Sequence, residues 1–299
     1  MSGVMDRDVL AAHIRRQLGT RVHSITPYKQ GAEFAVFRAV IGAGDNVVLK
    51  AAPHDDLGNA NDPSCSARAL LRQEEHLGRY LRSQGIPVPI SLGLMTDGPY
   101  PCLIQELVEH DESCEVSDDH LAHLLSRVHA CTAPRTLVAH EGLAFASCIA
   151  RRITRRAHAL EKATGVSLPV PDTDRIESLL RLRGYRPSLL HMDIRPPNIL
   201  AAASSVRAII DWSNALMGDP ALEFARIAEW WRPCTRLRVA YENICGPMRT
   251  PRIIDLLYRL DAALVLGLLH QTERPHPVAA RTALCRATEL AAAVRSGPV

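Results

Sequence analysis

The chain has 299 residues, 47% of them hydrophobic and 22% charged, with a formal net charge of +3. That length supports a substantial core, with about three quarters of the surface buried on folding, and so small a charge gives no argument for a nucleic-acid binder. No apolar run approaches the roughly 18 residues of a membrane span, and the opening MSGVMDRDVLAAHIRRQLG lacks a signal-peptide core, so neither a membrane nor a secreted protein is expected.

The eight cysteines are dispersed, with no C-x-x-C and no Cys/His cluster. They read as reduced packing thiols of a cytoplasmic protein, and no structural metal is expected.

A helix is predicted over residues 5–18, with Asp6 near its start, Arg15 and Arg16 in its last turn, and Gly19 to end it. Three strands follow, over 24–28, 33–40 and 47–51. Lys29-Gln30-Gly31-Ala32 separates the first two and Gly42-Ala43-Gly44-Asp45-Asn46 the last two. Gly31 marks either an ordinary turn or one that lets the backbone approach a phosphate. Neither G-x-G-x-x-G nor G-x-x-x-x-G-K-[S/T] is present, so Rossmann and P-loop readings fail.

Lys50 closes the strand Val47-Val48-Leu49. It is either an edge charge or a phosphate-gripping lysine, and the second role requires an acidic partner on the next helix. That helix, predicted over 67–83, carries Leu70, Leu71, Leu77 and Leu81 at helical spacing. Glu74 shares the stripe of Leu77 and Leu81 and faces inward, whereas Glu75 is turned about 100° away. Glu74 is therefore the expected partner.

A strand pair is predicted over 90–95 and 101–107, with a base-binding backbone at Glu106–Val108. The acidic loop after it (Asp111, Glu112, Glu115) marks a boundary, giving a first lobe over 1–107 and a second over 108–299. Ser117 caps a helix over 118–130. Helices over 143–163 and 172–183 follow. The first carries Arg151, Arg152, Arg155 and Arg156, read as a solvated face.

The stretch 188–220, SLLHMDIRPPNILAAASSVRAIIDWSNALMGDP, holds the densest chemistry. Pro196 and Pro197 exclude a helix there. Asn198–Ala203 and Val206–Ile210 read as a hairpin turning at Ser204-Ser205. Asp193 lies before the hairpin and Asp211 just past it, 211 − 193 = 18 residues on, with Arg195 at +2 and Asn198 at +5 from Asp193. Acids gathered at one end of an apolar scaffold are costly unless a cation is held there. The order H-x-D-x-[K/R]-P-x-N, then a strand ending in Asp, is that of phosphotransferase catalytic and metal loops. A helix over 220–231 carries Glu223, Glu229, Trp230 and Trp231, and the rest of the chain is helix-rich.

On LLHMDIRPPNIL and IIDWSNALMGDPALEFA above all, with support from Lys50, RQEEHLGRYLRSQGIPVP and LLSRVH, the chain resembles the aminoglycoside phosphotransferase-like small-molecule kinases over roughly residues 20–232. The resemblance implies an α+β, protein-kinase-like fold of two lobes. The small N-terminal lobe would be an antiparallel sheet plus a helix, and the larger C-terminal lobe mainly helical.

It also implies roles. Asp193 would be the catalytic base, with Arg195 near the transferred phosphoryl. Asn198 and Asp211 would hold magnesium. Lys50, set by Glu74, would grip the phosphates of ATP or GTP. His191 would support the loop. The family turn often reads H-G-D-x-H-x-G-N, and this chain has Met192, Arg195 and Pro197 at the variable places. Trp212 follows the metal Asp.

The implied partners are a nucleoside triphosphate and a small hydroxylated acceptor, with the protein a monomer or homodimer. An antibiotic such as an aminoglycoside is the first expectation for the acceptor, met by Asp111, Glu112, Glu115, Glu223 or Glu229. The alternatives are a metabolite such as choline, homoserine or a sugar-like compound, and a nucleoside or macrolide antibiotic. A pseudokinase binding module is the non-enzymatic alternative.

Overall fold

The first helix begins where Asp6 can cap it: the Asp6 side chain accepts from the Asp8 and Val9 amides, and Gly19 ends the helix at φ 63°. This helix, α1 (Arg7–Leu18), opens a computed structural model that describes residues 5–31, 33–132, 137–231 and 233–296. Ala32, in the first predicted turn, lies outside the described residues. The chain divides into two compact units, Met1–Glu115 with Asn198–Ser213, and Val116–Pro197 with Asn214–Val299.

The first unit is built on a sheet of β1 (Val22–Gln30), β2 (Ala35–Ile41), β3 (Asp45–Ala51), β4 (Ser91–Met95) and β5 (Cys102–Glu106). Its strands are antiparallel throughout, in the order β1-β2-β3-β5-β4. Alternation on β2 and β3 sends Phe37, Ala39, Ile41, Val47, Leu49 and Ala51 into one core with Leu10 and Ile14 of α1. Lys50 lies between two inward residues, so it must emerge on the other face. There α2 (Ala67–Ser83), capped by Ser66, brings its buried stripe of Leu70, Leu71, Glu74, Leu77 and Leu81.

The same unit takes in a hairpin, β7 (Ile199–Ala202) and β8 (Ser205–Ile209). Its two turn residues, Ala203 and Ser204, are both left-handed, at φ 50° and 59°, as a tight two-residue hairpin turn requires. Hydrogen bonds anchor it: the Ile209 amide donates to the Pro87 carbonyl at 2.8 Å, and the Asp111 amide to the Ala201 carbonyl at 2.8 Å.

The second unit is mainly helical: α3 (Asp118–Ala130), α4 (Phe145–Thr164), α5 (Thr173–Arg181), α6 (Pro220–Trp230), α7 (Thr235–Cys245), α8 (Arg252–Leu268) and α9 (Pro277–Ser296). Buried α8 runs through its middle, touching α4, α5, α6 and α9. Two short strands, β6 (Ser188–Leu190) and β9 (Leu216–Gly218), pair antiparallel and fix the entry to the Asp193 loop. Gly218 has to be glycine, since a Cβ there would come within 2.2 Å of the Phe145 ring.

Three expectations change. Pro196–Asn198 forms a single 3₁₀ turn, because proline at the start of a turn gives up only an amide that has no partner there. The strand β9 went unread, being three residues long and followed by Asp219-Pro220. The arginines of α4 are not one solvated face: Arg152 and Arg156 are buried, and Arg156 donates to buried Asp261 of α8 at 2.7 Å.

Candidate active site

In the first unit, one lysine ties three elements together. Lys50 Nζ of β3 donates to Glu74 Oε2 of α2 at 2.5 Å and to Asp211 Oδ1, beyond β8, at 2.8 Å. The Phe34 ring lies 4.8 Å from the same nitrogen. Burial alone would lower the lysine pKa, but the charges of Asp211 and Glu74 outweigh it and hold the ammonium well above the ordinary lysine range. Lys50 is thus cationic at any physiological pH. Phe34 was missed by sequence reasoning, since an apolar residue near a strand start carries no sign of a cation contact.

The hairpin explains how Asn198 and Asp211 come together. Ile199 pairs with Ile209, and one step outward the Ile210 amide donates to the Asn198 carbonyl at 3.0 Å. Asn198 and Asp211 therefore leave the same end of the ladder. Asp211 is left-handed, at φ 67°, and its Oδ1 also accepts from Ser213 Oγ at 2.7 Å. Gln73 of α2 secures the next two residues, donating to the Trp212 and Ser213 carbonyls at 2.9 and 3.0 Å.

Among the described residues no group of three or more His, Cys, Asp or Glu could hold a metal ion. A carboxamide and a carboxylate at one hairpin end nonetheless fit magnesium. That ion keeps few protein ligands and takes the rest from water and phosphate oxygens.

Other predicted nucleotide contacts are partly engaged. The Gly31 amide donates to the Phe34 carbonyl at 2.9 Å, and a Cβ at Gly31 would come within 2.7 Å of that oxygen. The close approach that this glycine permits is thus within its own turn. The Glu106 amide donates to the Ile90 carbonyl at 3.0 Å, while Glu106 Oε1 accepts from the Ile90 amide at 2.8 Å. The Val108 carbonyl is 3.0 Å from His110 Nδ1. Asp111, Glu112 and Glu115 are exposed. Asp111 accepts from the Ser113 hydroxyl and amide, which hold its carboxyl below its ordinary value, and Glu112 is 3.2 Å from Lys29 Nζ.

In the second unit, Asp193 is buried and its Oδ1 accepts from Arg195 Nε at 2.9 Å. The Asp193 amide donates to His191 Nδ1 at 3.1 Å, and the Met192 amide to Glu223 Oε1 at 2.6 Å. Glu223 Oε2 lies 2.8 Å from His129 Nε2, and His129 Nδ1 lies 2.9 Å from the Tyr241 hydroxyl. A carboxylate can only accept, so His129 Nε2 donates to Glu223. Burial would raise the Glu223 pKa, but the His129 hydrogen bond and charge, with the Met192 amide, leave it lowered.

Two acceptor candidates are already engaged by other residues. Glu223 is fully buried and supports the loop backbone. Glu229 is held by Arg259 and Arg286, the latter through two nitrogens at 2.9 and 3.0 Å, so its charge is already met. Both sit on a helix face that looks acidic in sequence, and the balancing residues lie far along the chain.

The sequence profile described as "Phosphotransferase enzyme family" matches residues 24–257. The chain belongs to this family. As a member of the phosphotransferase enzyme family it is an enzyme that transfers a phosphoryl group to a hydroxyl of a small molecule. The matched span contains Lys50, Glu74, Asp193, Arg195, Asn198 and Asp211.

Solved structures share the fold at low identity. A protein from Haemophilus somnus 129PT assigned as a fructosamine-3-kinase is 13% identical, with a TM-score of 0.69, covering 96% of this chain and 97% of that one. The aminoglycoside phosphotransferase APH(4)-Ia is 18% identical, with a TM-score of 0.66, covering 98% of this chain and 100% of that one. A thermostable mutant of it was solved as a ternary complex with AMP-PNP and hygromycin B. A macrolide 2'-phosphotransferase type I is 16% identical, with a TM-score of 0.62 and coverage of 96% and 98%. Comparison with curated proteins gave no match.

Proposed function

We propose that this phosphotransferase moves the γ-phosphoryl group of ATP or GTP, with magnesium, to a hydroxyl of a small molecule in the cytoplasm. The observation that carries the reading is the buried Lys50, fixed between Glu74 and Asp211. A permanently charged ammonium beside a carboxylate suited to a metal is what a triphosphate requires.

In this reading Lys50 grips the α and β phosphates and Glu74 sets its direction. Asn198 and Asp211 would hold magnesium, which when bound neutralises phosphate charge. Asp193 takes the proton of the acceptor hydroxyl as its oxygen bonds to the γ-phosphorus. The bond from that phosphorus to the β,γ-bridging oxygen breaks, and the nucleoside diphosphate leaves. Arg195 offsets charge on the moving group. His191 and Glu223 hold the loop backbone, so that Asp193 keeps its aim.

For the acceptor we infer first a hydroxylated antibiotic of the aminoglycoside kind, on likeness to the complex with hygromycin B and on the exposed Asp111 and Glu112. A neutral or anionic metabolite is the second reading. It is favoured by Glu223 and Glu229, which are already engaged by His129, Arg259 and Arg286 and so are not offered to a polycation.

The test is a screen of purified protein with magnesium and ATP or GTP against these acceptor classes, read as nucleoside diphosphate release. One class should raise release at least tenfold over the rate with water alone. Absence of both acceptor-dependent release and nucleotide binding would sink the reading.

A further inference from the structure

Arg195 is held by more than Asp193. Its guanidinium carbon lies 6.0 Å from the centre of the Trp230 ring, at the end of α6. That ring is itself fixed from two other directions. Its indole N–H donates to the Ala262 carbonyl of α8 at 3.3 Å. Buried Arg226, one turn back on α6, holds its guanidinium 4.6 Å from the ring centre, the neighbour relation expected of i and i+4 on a helix. Arg226 in turn lies 3.9 Å from Asp261, the carboxylate that also receives Arg156. Burial pulls the Arg226 pKa down to about 10, with Asp261 working against it, so it remains a cation at neutral pH.

A continuous series thus runs through the second unit: Asp261, Arg226, Trp230, Arg195, Asp193. It matters because Arg195 is only half-buried, whereas His191, Met192, Asp193 and Ile194 before it are buried. Its side chain is 37% exposed, and its hydrogen bond to Asp193 is made by Nε, at the near edge of the guanidinium. Pro196 restrains the backbone of Arg195, and an aromatic face attracts the far end of its side chain.

We propose that Trp230 is a positioning residue for phosphoryl transfer, holding the Arg195 guanidinium in the orientation in which it meets the moving phosphoryl group. The proposal rests on the roles given to Asp193 and Arg195 above. Arg226 and the Ala262 carbonyl fix the ring, and the ring fixes the arginine. A change at Trp230 should therefore act on turnover and leave nucleotide affinity alone.

The test is a double-mutant cycle between Trp230→Met and Arg195→Ala, with Trp230→Phe as the conservative variant. Each protein is checked for folding by its thermal transition. Trp230→Met is expected to lower kcat about tenfold with the nucleotide KM within about threefold, and Trp230→Phe to stay within about threefold of wild type. In the Arg195→Ala background, Trp230→Met should cost little more, because its effect runs through the arginine.

Full additivity, or unchanged kcat in Trp230→Met while Arg195→Ala is impaired, would overturn the proposal and leave the roles of Asp193 and Arg195 standing. Unchanged turnover in Arg195→Ala itself would remove the underlying role and this proposal with it. Should Trp230→Met fail to fold, Trp230→Phe and Trp230→Tyr in the same cycle carry the test: both must keep kcat within about threefold, and a tenfold loss in either counts against the ring.

Discussion

Met192 and Asp211, on either side of the hairpin, both hold φ 67°, a left-handed angle that non-glycine residues seldom adopt. The strain costs about 1 kcal/mol at each, and surrounding bonds hold it in place: the Met192 amide on Glu223, and Asp211 Oδ1 on Lys50 and Ser213. Glycine often stands at the Met192 place in the related turn, so the methionine keeps the turn and adds a buried side chain. Replacing it separates the two contributions. Met192→Ala loses the side chain and keeps the strain, whereas Met192→Gly loses both. The glycine variant should be the more stable of the two by about 1 kcal/mol, although both fall below wild type. Chemical denaturation measures this, and an alanine variant more stable than the glycine one would contradict it. At this scale the sequence is a partial guide. Helical spacing turned Glu74 inward, whereas nothing in the letters says that Met192 is left-handed, because that angle is imposed by bonds from α6.

The elements that carry the chemistry are held by partners remote in sequence. The β7–β8 hairpin was readable from its alternation, and with it the delivery of Asn198 and Asp211 to one end. The burial of Arg152, Arg156 and Glu223, and the pairing of Glu229, were not. Arg156, Glu223 and Glu229 look like surface charges until Asp261, His129, Arg259 or Arg286 is set beside them, 30 or more residues away. The bridge from α3 to α6 has a pH consequence. Glu223 has a folded-state pKa below its ordinary 4.5. A depressed carboxyl contributes stability that is present above its unfolded value and is lost as pH falls through the folded one. Glu223→Gln cannot titrate, so wild type should exceed it in stability near neutrality, with the gap closing as pH falls from the ordinary carboxyl value through the lower folded one. Urea midpoints measured across that range decide it. A gap of constant size would show that the Glu223 charge contributes nothing.

Taken over the whole chain, the residues sort by unit. Lys50, Glu74, Asn198 and Asp211 belong to the first, Asp193 and Arg195 to the second, and the family's sequence profile spans both. The five strands and the helices after them were readable from alternation and helical periodicity, whereas their assembly into an α+β fold with an antiparallel sheet was implied by the family resemblance. The acceptor was not readable, since no motif encodes it. This division of residues makes the proposed function testable, since it assigns nucleotide binding to the first set and proton handling to the second. The most direct measurement is turnover and nucleotide affinity in Asp193→Ala, once an acceptor is in hand. The account predicts that kcat falls about a thousandfold or more, roughly 4 kcal/mol of transition-state stabilisation, with nucleotide affinity within about threefold of wild type. Turnover within about tenfold of wild type would contradict it.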